Sequence, residues 1–595
     1  YSAQCTLPDT LLVLYIHEGR RVLSVITAHT AGFCWGVRRA VDMVLAELKK
    51  GRDPYAVYGE LVHNPQVLRA LEERGVSICM TPSAMSGGTL FLRTHGTSLE
   101  RRKELKQLSL KIKDLTCPRV GSALAVARKK SREGYDVIIL GDSQHQEVRS
   151  ILSYGGDRAQ VISGPDEIAA LSGITRPFLL SQTTQNTETF EKTKNALHKQ
   201  YPDLEYAFTI CDSTSLRQEE LRKMCGKVDC VVVVGGRNSA NTARLAEIAR
   251  EEGLPSFHIE THEELDADEL KKYENVLLTA GSSTPSWSIR KVREKLLEIQ
   301  GGSLRGGKAW KLLQSMIFGN VHVLPLTFIL GAAGACILNS SHWLLPALAA
   351  SFFLYGVHTV TSVLESGYSH PSRLRRQEFL RSHRRLLIVS AMFAFAGSLT
   401  LSLFLNPLWP AVLGVMLALF LLYTIPLIRK VYPFRGLRSL PGSRDLMFAG
   451  AWSFLLAFLP GYISAGAAIT PGIVIWAAIL FFLFLSRCLL ADLVDLQGDA
   501  LMGMDTIPTH AGRSLSVRLF WLCISLASVL LAAGIASGYL PLSAAAFFPG
   551  PLLLAAGFLI LARTPFPSEF LKRAIADGSL FAAGVLPVLI CTVPW

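Results

Sequence analysis

Three cysteines each end a short β-branched run and open a helical stretch: Cys34 after VLSVITAHTAGF, Cys117 after KIKDLT and Cys211 after YAFTI. Thiolates are the usual ligands of iron–sulfur clusters, and three of them leave one iron of a [4Fe-4S] cube free to act as a Lewis acid on a substrate oxygen. Their separations, 83 and 94 residues, match no zinc-ribbon or CxxC pattern. Spacing alone therefore keeps Cys5, Cys79, Cys225 and Cys230 as alternatives. Cys225 and Cys230 fall at a helix end and a strand start, where a buried thiol is the simpler reading. His63, His95 and His145 occupy three further loops, Glu147 lies just after His145, and Ser239, Asn241 and Ser283 lie in two more. Imidazole, amide and hydroxyl donors beside helix N-termini suit an anionic ligand, and a carboxyl among them suits proton transfer. A lone Cys or His at a strand end is usually structural; so many loops of one sheet edge carrying such groups point to a shared site.

A second cluster lies far downstream in RCLLADLVDLQGDALMGMDTIPTHAG. Asp492, Asp495 and Asp499 share one face of a helix. Like charges side by side repel unless a cation joins them, and Mg²⁺ held by carboxylates commonly bridges to phosphate oxygens. A solvated acidic helix end is the plainer reading of the same spacing. Arg487, beside Cys488 in an apolar stretch, is costly there unless paired.

The elements that must position these groups differ between two halves. Over residues 20–300 a β-branched run, a polar loop and a helix of 3.6-residue apolar period recur, as in DVIILGDSQHQE before VRSIL and CVVVVGGRNSAN before TARLAEIAREEG. That alternation predicts parallel sheets covered by helices, with ligands beyond the carboxyl ends of the strands. After GGSLRGG (301–307), which has linker composition, the chain turns apolar. Of the net charge of +13, residues 310–595 carry +9, with 18 Lys and Arg against 9 Asp and Glu.

Nine runs long enough to cross roughly 30 Å of hydrocarbon fall at 317–338, 342–364, 386–405, 408–428, 447–468, 471–490, 515–539, 542–562 and 574–594. The connections after the second and fourth are basic: Arg373, Arg375, Arg376, Arg381, Arg384 and Arg385, then Arg429, Lys430, Arg435, Arg438 and Arg444. The odd-numbered connections (NSSH, NP, SAGAAITP, SGYLP) hold no Lys or Arg. The positive-inside rule then puts the even connections and the first half in the cytoplasm and the C-terminus outside. Topology thus accounts for the basic charge, and no nucleic-acid partner is expected. With 595 residues, 50% hydrophobic, 18% charged and a mean hydropathy of +0.32, a single small soluble domain and a disordered chain are both excluded. No cleavable signal peptide is expected at the start, and eleven cysteines in a cytosol-facing chain suggest metal, redox or buried thiols rather than disulfides.

AGFCWGVRRAV, YGELVHNPQVLRALEERGV, RTHGTS, DLTCPRV, HQE, SQTTQNTET, ICDSTSLRQ, VVVGGRNSANTARL and TAGSSTP, in this order, resemble the hydroxymethylbutenyl diphosphate reductase family (LytB/IspH) over about residues 21–298. The resemblance implies Cys34, Cys117 and Cys211 as ligands of a [4Fe-4S] cluster. It implies His63, His95 and His145, with Ser239, Asn241 and Ser283, as the substrate-diphosphate pocket. Glu147 matches the proton-delivering carboxylate, and Thr183 and Thr184 the pair beside it and the substrate hydroxyl. The implied reaction is reductive dehydroxylation of 4-hydroxy-3-methylbut-2-enyl diphosphate to isopentenyl and dimethylallyl diphosphate, fed by an external donor such as ferredoxin or flavodoxin. Two departures stand out. Ala240 replaces a serine usual before the pocket asparagine, and Leu216 stands where a polar residue is common.

The second half, with DLVDLQGD, GMDTIP and the basic stretch YTIPLIRKVYPFRGLRSLPGSRDL, resembles the UbiA family of membrane prenyltransferases over about 310–595. By that resemblance Asp492, Asp495 and Asp499 are candidate Mg²⁺ ligands for a prenyl diphosphate, with a lipid-soluble acceptor. The family's first aspartate motif is missing: HTVTSVLESGYSHPSRLRRQ offers only Glu365, with His358, Thr361 and Ser362 nearby.

The expectation is therefore a multidomain protein. An N-terminal extension (1–20) precedes an α/β reductase domain (21–300) of repeated parallel-sheet units around a central iron–sulfur cluster. A linker (301–309) then leads to an all-α domain (310–595) of nine transmembrane helices, multi-pass in the cytoplasmic membrane. The rival expectation is a membrane-anchored iron–sulfur redox protein acting on another substrate, on an inactive UbiA-like anchor.

Overall fold

The computed structural model describes residues 24–51, 54–300, 308–340, 343–366, 373–424, 442–464 and 468–592. The expected N-terminal extension, Cys5, the GGSLRGG linker and Arg429, Lys430, Arg435 and Arg438 of the second basic connection lie outside the described residues.

The first half folds as three separate four-stranded sheets, every pairing parallel. The strands are β1 (Ser24–Thr27), β2 (Tyr55–Tyr58), β3 (Val76–Cys79), β4 (Thr89–Leu92), β5 (Lys111–Asp114), β6 (Asp136–Leu140), β7 (Gln160–Ile162), β8 (Pro177–Ser181), β9 (Glu205–Tyr206), β10 (Cys230–Val234), β11 (Ser256–Ile259) and β12 (Asn275–Ala280). The first sheet has the order β1-β12-β10-β11, the second β3-β2-β4-β5 and the third β7-β6-β8-β9. The chain thus starts one sheet, builds two others and returns to finish the first, with Ser24 paired to Asn275. Central strands such as CVVVV (230–234) are buried throughout, as expected for parallel strands covered by helices on both faces.

The second half is helical. Among the described residues six helices are long and apolar enough to cross a membrane: Leu344–Glu365, Arg384–Leu403, Pro471–Leu501, Ile507–Ala536, Leu542–Arg563 and Glu569–Ile590. A seventh is reached if Lys311–Phe318 and Val323–Ile337, bent by 70° at their junction, form one broken span. Of the nine expected spans, six or seven are met by length and composition among the described residues. The expected fourth span is met by the apolar helix Leu408–Thr424, at the end of a described stretch. The fifth, in Ser443–Ser464, opens on Ser443, Arg444 and Asp445 and carries an internal Pro460. At the bend Asn320 takes a positive φ of 65°. Leu386, Met392, Phe393, Phe404, Leu552 and Ile560 are exposed on the outside of the bundle, while Trp452, Trp476, Phe484, Phe520 and Phe547 pack its core. An apolar outer surface of this kind suits hydrocarbon better than water.

The halves are in direct contact. Leu501, at the end of the helix Pro471–Leu501, is buried in the core formed by Val37, Val41, Val44 and Trp287 of the first half.

Candidate active site and the acidic membrane helix

Each sheet delivers one of the three cysteines. Cys34 follows β1, Cys117 follows β5 and Cys211 follows β9, and each is the N-cap of a helix: Trp35–Leu48, Pro118–Arg132 and Asp212–Cys225. Free backbone N–H groups at a helix start favour a thiolate. Val37 N donates to Cys34 Sγ at 3.4 Å, while burial pushes the Cys117 and Cys211 thiols up. The thiols converge. A Cβ on Gly36 would stand 2.6 Å from Cys117 Sγ and 3.9 Å from Cys34 Sγ, so glycine is required there to keep the space between them clear. All three are free thiols, a donor set that fits a multi-iron cluster. Among the described residues no group of three or more His, Cys, Asp or Glu is arranged around a single metal ion.

The histidines come from the second and third sheets: His63 after β2, His95 after β4 and His145 after β6. Their rings pack together, with His63 and His95 stacked at 4.2 Å and His145 edge-on to both at 5.7 and 5.8 Å. With Thr184, Ser239, Ala240, Asn241 and Ser283 they line a cavity of about 40 Å³, room for a water or two. His63 Nδ1 meets Glu60 Oε2 at 2.8 Å, and Ser283 Oγ donates to the His63 carbonyl at 3.1 Å. Among the described residues, buried His63 Nε2, His95 Nδ1 and Asn241 Nδ2 have no hydrogen-bond partner, a pattern that calls for a polar ligand or water. Burial and the neighbouring imidazoles hold His95 well below the usual histidine range, and burial with His63 pushes His145 down to about 4.

Glu147, 1% exposed, sits in the first turn of the helix Gln146–Gly155 that His145 caps. The Thr183 backbone N–H and hydroxyl donate to its two oxygens at 2.6 and 3.0 Å. Burial outweighs these bonds and raises the carboxyl to about 7, so at neutral pH it can carry a proton to give. Cys211 N donates to the Thr183 carbonyl at 2.9 Å, which ties the acid to a thiol-bearing loop. Thr184 accepts from Gln182 Nε2 at 2.8 Å.

The sequence-predicted residues of the first half thus lie beyond strand ends as three groups: the thiols, the Glu147–Thr183 pair and the histidine cavity with Thr184, Ser239, Asn241 and Ser283. Ala240 does line the cavity, so its missing hydroxyl is a real loss of a donor there. Leu216 is 54% exposed and outside the cavity lining, so that departure does not touch the pocket. Cys225 and Cys230 are buried away from the other thiols, and burial pushes Cys230 up to about 12. Sequence reasoning missed Arg217, a buried cation that interacts with Cys34 and Cys211 and donates to the Gly32 carbonyl. It also missed Gln182. The only sequence signal for Arg217 is its place six residues after Cys211 in ICDSTSLRQ.

The membrane half departs from expectation. Asp492, Asp495 and Asp499 do share a helix face, but all three are buried, so they are not a solvated helix end. Each is met by the chain's own cations. Arg444 contacts both oxygens of Asp492 at 2.8 Å. Lys572 contacts Asp495 at 2.6 and 2.7 Å, joined there by Arg290 at 3.1 Å and Arg373 at 3.5 Å. Arg373 also reaches Asp499 at 3.2 Å. Ammonium and guanidinium groups engage both oxygens of Asp492 and of Asp495 and one of Asp499, so this donor set is committed to the chain's own cations and fits Mg²⁺ poorly. Arg487 is paired with Asp577 at 2.7 and 3.2 Å, and His322 joins them at 3.1 Å. Of the residues in the place of the missing aspartate motif, Ser362 accepts from Arg376 at 2.8 Å. Thr361 bonds its own helix at the Val357 carbonyl, and His358 lies edge-on to Phe448 and Trp452.

The family model described as LytB protein matches residues 25–297. A relative in Geotalea uraniireducens named 4-hydroxy-3-methylbut-2-enyl diphosphate reductase is 38% identical over 277 residues, 47% of this chain and 98% of its own length. A Geobacter sulfurreducens relative of the same name is 36% identical over 276 residues, 46% of this chain and 98% of its own. Among solved structures, the Plasmodium falciparum E-1-hydroxy-2-methyl-but-2-enyl-4-diphosphate reductase has 27% identity and a TM-score of 0.45, covering 46% of this chain and 88% of its own. A UbiA homolog from Archaeoglobus fulgidus bound to GPP and Mg²⁺ has 15% identity and a TM-score of 0.34, covering 46% of this chain and 99% of its own. Relatives matched almost end to end at more than a third identity leave one conclusion for residues 25–297: through them the chain belongs to the LytB family.

Proposed function

We propose that the first half reduces 4-hydroxy-3-methylbut-2-enyl diphosphate to isopentenyl and dimethylallyl diphosphate, with a [4Fe-4S] cluster on Cys34, Cys117 and Cys211. When bound, such a cluster supplies electrons and Lewis acidity. The balance is an allylic alcohol plus two electrons and two protons giving a hydrocarbon terminus and water. The carrying observation is the juxtaposition of the unpartnered imidazole and amide atoms of His63, His95 and Asn241 with the protonatable Glu147. The three imidazoles, Ser239, Asn241 and Ser283 bind and orient the diphosphate. Glu147, aimed by the two Thr183 donors, delivers a proton to the departing hydroxyl. Thr184 flanks that hydroxyl from the neighbouring position.

Electrons come from an external carrier of the ferredoxin or flavodoxin class. The open groove beside Cys117 is lined by Arg102, Arg128, Lys129 and Arg132 against Asp114 and Glu133, which pair with Arg102 and Lys129, and its net positive charge offers an acidic carrier a complementary face. A simple electron carrier acting elsewhere would not need the histidine pocket or Glu147, which favours the enzyme over the rival reading.

The helical half is read as a UbiA-like, multi-pass anchor in the cytoplasmic membrane. The reductase touches the connections after Leu501 and Arg563 and the segment around Arg373, all even-numbered by the sequence count. That agreement supports a common cytoplasmic side. Mg²⁺-dependent prenyl transfer is not part of the proposal, because the aspartates already hold cations. The test is anaerobic purification in detergent and an assay of 4-hydroxy-3-methylbut-2-enyl diphosphate with a chemical reductant. A cluster-loaded preparation that forms neither five-carbon product overturns the reading.

A further inference from the structure

The acidic face of the helix Pro471–Leu501 contacts one reductase element above all, the helix Ser286–Gln300, which begins directly after the pocket loop that carries Ser283. Gln497 Oε1 accepts from Ser286 N at 3.4 Å, so the membrane half caps the start of that helix, where backbone N–H groups otherwise lack partners. One turn on, Arg290 donates to Asp495 at 3.1 Å, with the two side chains 4% and 5% exposed. One further turn on, Arg293 reaches the Phe566 carbonyl at 3.5 Å, and Arg375 pairs with Glu294 and Glu298.

The same support reaches two other site helices. Arg74, just past the helix that follows His63, donates to the Ala500 carbonyl at 2.7 Å. Lys49, at the end of the helix that Cys34 caps, donates to the Thr509 carbonyl at 2.8 Å, and Leu501 packs against its apolar face. The described hydrogen bonds and ion pairs between the halves all come from the first two sheets and their helices. The third sheet, with His145, Glu147 and Thr183, contributes none of them.

We infer that Asp495 and Gln497 of the membrane helix, in place of binding a metal, are positioning residues for the reductase: through Arg290 and Ser286 they hold the Ser282–Thr284 loop against His63 and so set the diphosphate site. A buried carboxylate shared by Lys572, Arg290 and Arg373 is a fixed seat, since removing one partner leaves the others buried and uncompensated. The loop is coupled to that seat through one rigid helix and to His63 through the Ser283 hydroxyl. The inference assumes the diphosphate reading for the effect on substrate; the anchoring itself does not.

The test uses the full chain in detergent, wild type beside Asp495→Asn and Gln497→Ala. The glutamine variant leaves every charge in place and so guards against a misfolded aspartate variant. Hydrogen exchange over residues 282–300 should accelerate about tenfold in both, a coupling of ordinary size, while residues 212–225 stay unchanged. KM for 4-hydroxy-3-methylbut-2-enyl diphosphate should rise by a similar factor with kcat within about twofold. The charge swap Arg290→Asp with Asp495→Arg should recover part of the protection. Mn²⁺ titrated by electron paramagnetic resonance should find no tight site in this half. Unchanged exchange over 282–300 in both variants, or a stoichiometric Mn²⁺ site lost in Asp495→Asn, overturns the inference. Turnover that is absent throughout while the exchange result holds instead counts against the reductase reading alone.

Discussion

Glu147→Gln isolates the proton that the site is built to deliver. The amide is nearly isosteric, and its oxygen can still accept from Thr183 N, which lies 2.6 Å from the carboxyl, so packing should survive. What is lost is the acid. With the carboxyl raised to about 7, about half of the molecules are protonated at pH 7 and roughly a tenth at pH 8. Wild-type kcat should therefore fall to about a fifth between pH 7 and pH 8, and rise less than twofold from pH 7 to roughly pH 6. The sign follows from the raised value: the active form is the protonated one, present below about 7 and lost above it. In Glu147→Gln turnover should drop roughly 100- to 10,000-fold, the usual worth of a positioned acid, with the visible absorbance of the cluster unchanged. Infrared spectroscopy gives a readout free of turnover, because the carbonyl stretch of a buried carboxylic acid should be present at pH 6, fade by pH 8 and be missing from the variant. Histidines near the site could also produce a falling limb, and the variant separates them. If Glu147→Gln keeps the same limb, or if wild-type kcat is flat through neutrality, the assignment of Glu147 as the acid is refuted.

Ala240→Ser restores a hydroxyl to the cavity lining and should lower KM for the diphosphate up to about tenfold, the effect of one neutral donor at 0.5–1.5 kcal/mol; an unchanged KM would mean that the position does not face the ligand. Because His95 and His145 are held neutral by burial and by the neighbouring His63, an arriving diphosphate should raise both and draw in protons. Binding should then strengthen as pH falls, and calorimetry in two buffers of different ionisation enthalpy should give different heats; equal heats would count against that coupling. Gly36→Ala puts a Cβ 2.6 Å from Cys117 Sγ, and iron per chain should fall to roughly half or less, since such sites tolerate shifts of only about 0.5 Å. Full iron loading in that variant would show that the thiols do not share one cluster.

Much of the reductase centre was legible because its groups lie at strand ends, and strand ends are punctuated in sequence. The alternation of β-branched runs with amphipathic helices predicted parallel sheets, and Cys34, His63, His95, Cys117, His145, Cys211 and Ser283 all follow strands as expected. The division into three sheets was not legible. A β-branched run says that a segment is a strand, not which strand it pairs with, and the pairing of Ser24 with Asn275 spans almost the whole domain. Arg217 was missed for a related reason. Within its helix it has the spacing of an ordinary surface arginine, and only the approach of the first sheet's Gly32–Cys34 loop brings it beside Cys34.

The surroundings of the membrane aspartates were not legible through the same limit, sharpened by electrostatics. Spacing correctly put Asp492, Asp495 and Asp499 on one face, but the sign of their environment is set by residues 48 to 205 positions away. Four cations, Arg290, Arg373, Arg444 and Lys572, pair with these three carboxylates, and buried Asp445 shares Arg444 with Asp492. Unit charges 4 Å apart interact by about 4 kcal/mol at an effective dielectric of about 20, and a divalent ion doubles that against each cation it approaches. Mg²⁺ entering this cluster would meet repulsion from several such neighbours, while carboxylate oxygens it needs are already engaged. A helix that carries an aspartate-rich motif can therefore keep the acidic residues and lose the metal once arginines and a lysine fold onto them. One of those arginines here belongs to the reductase, which turns the motif from a ligand site into a seam between the two halves.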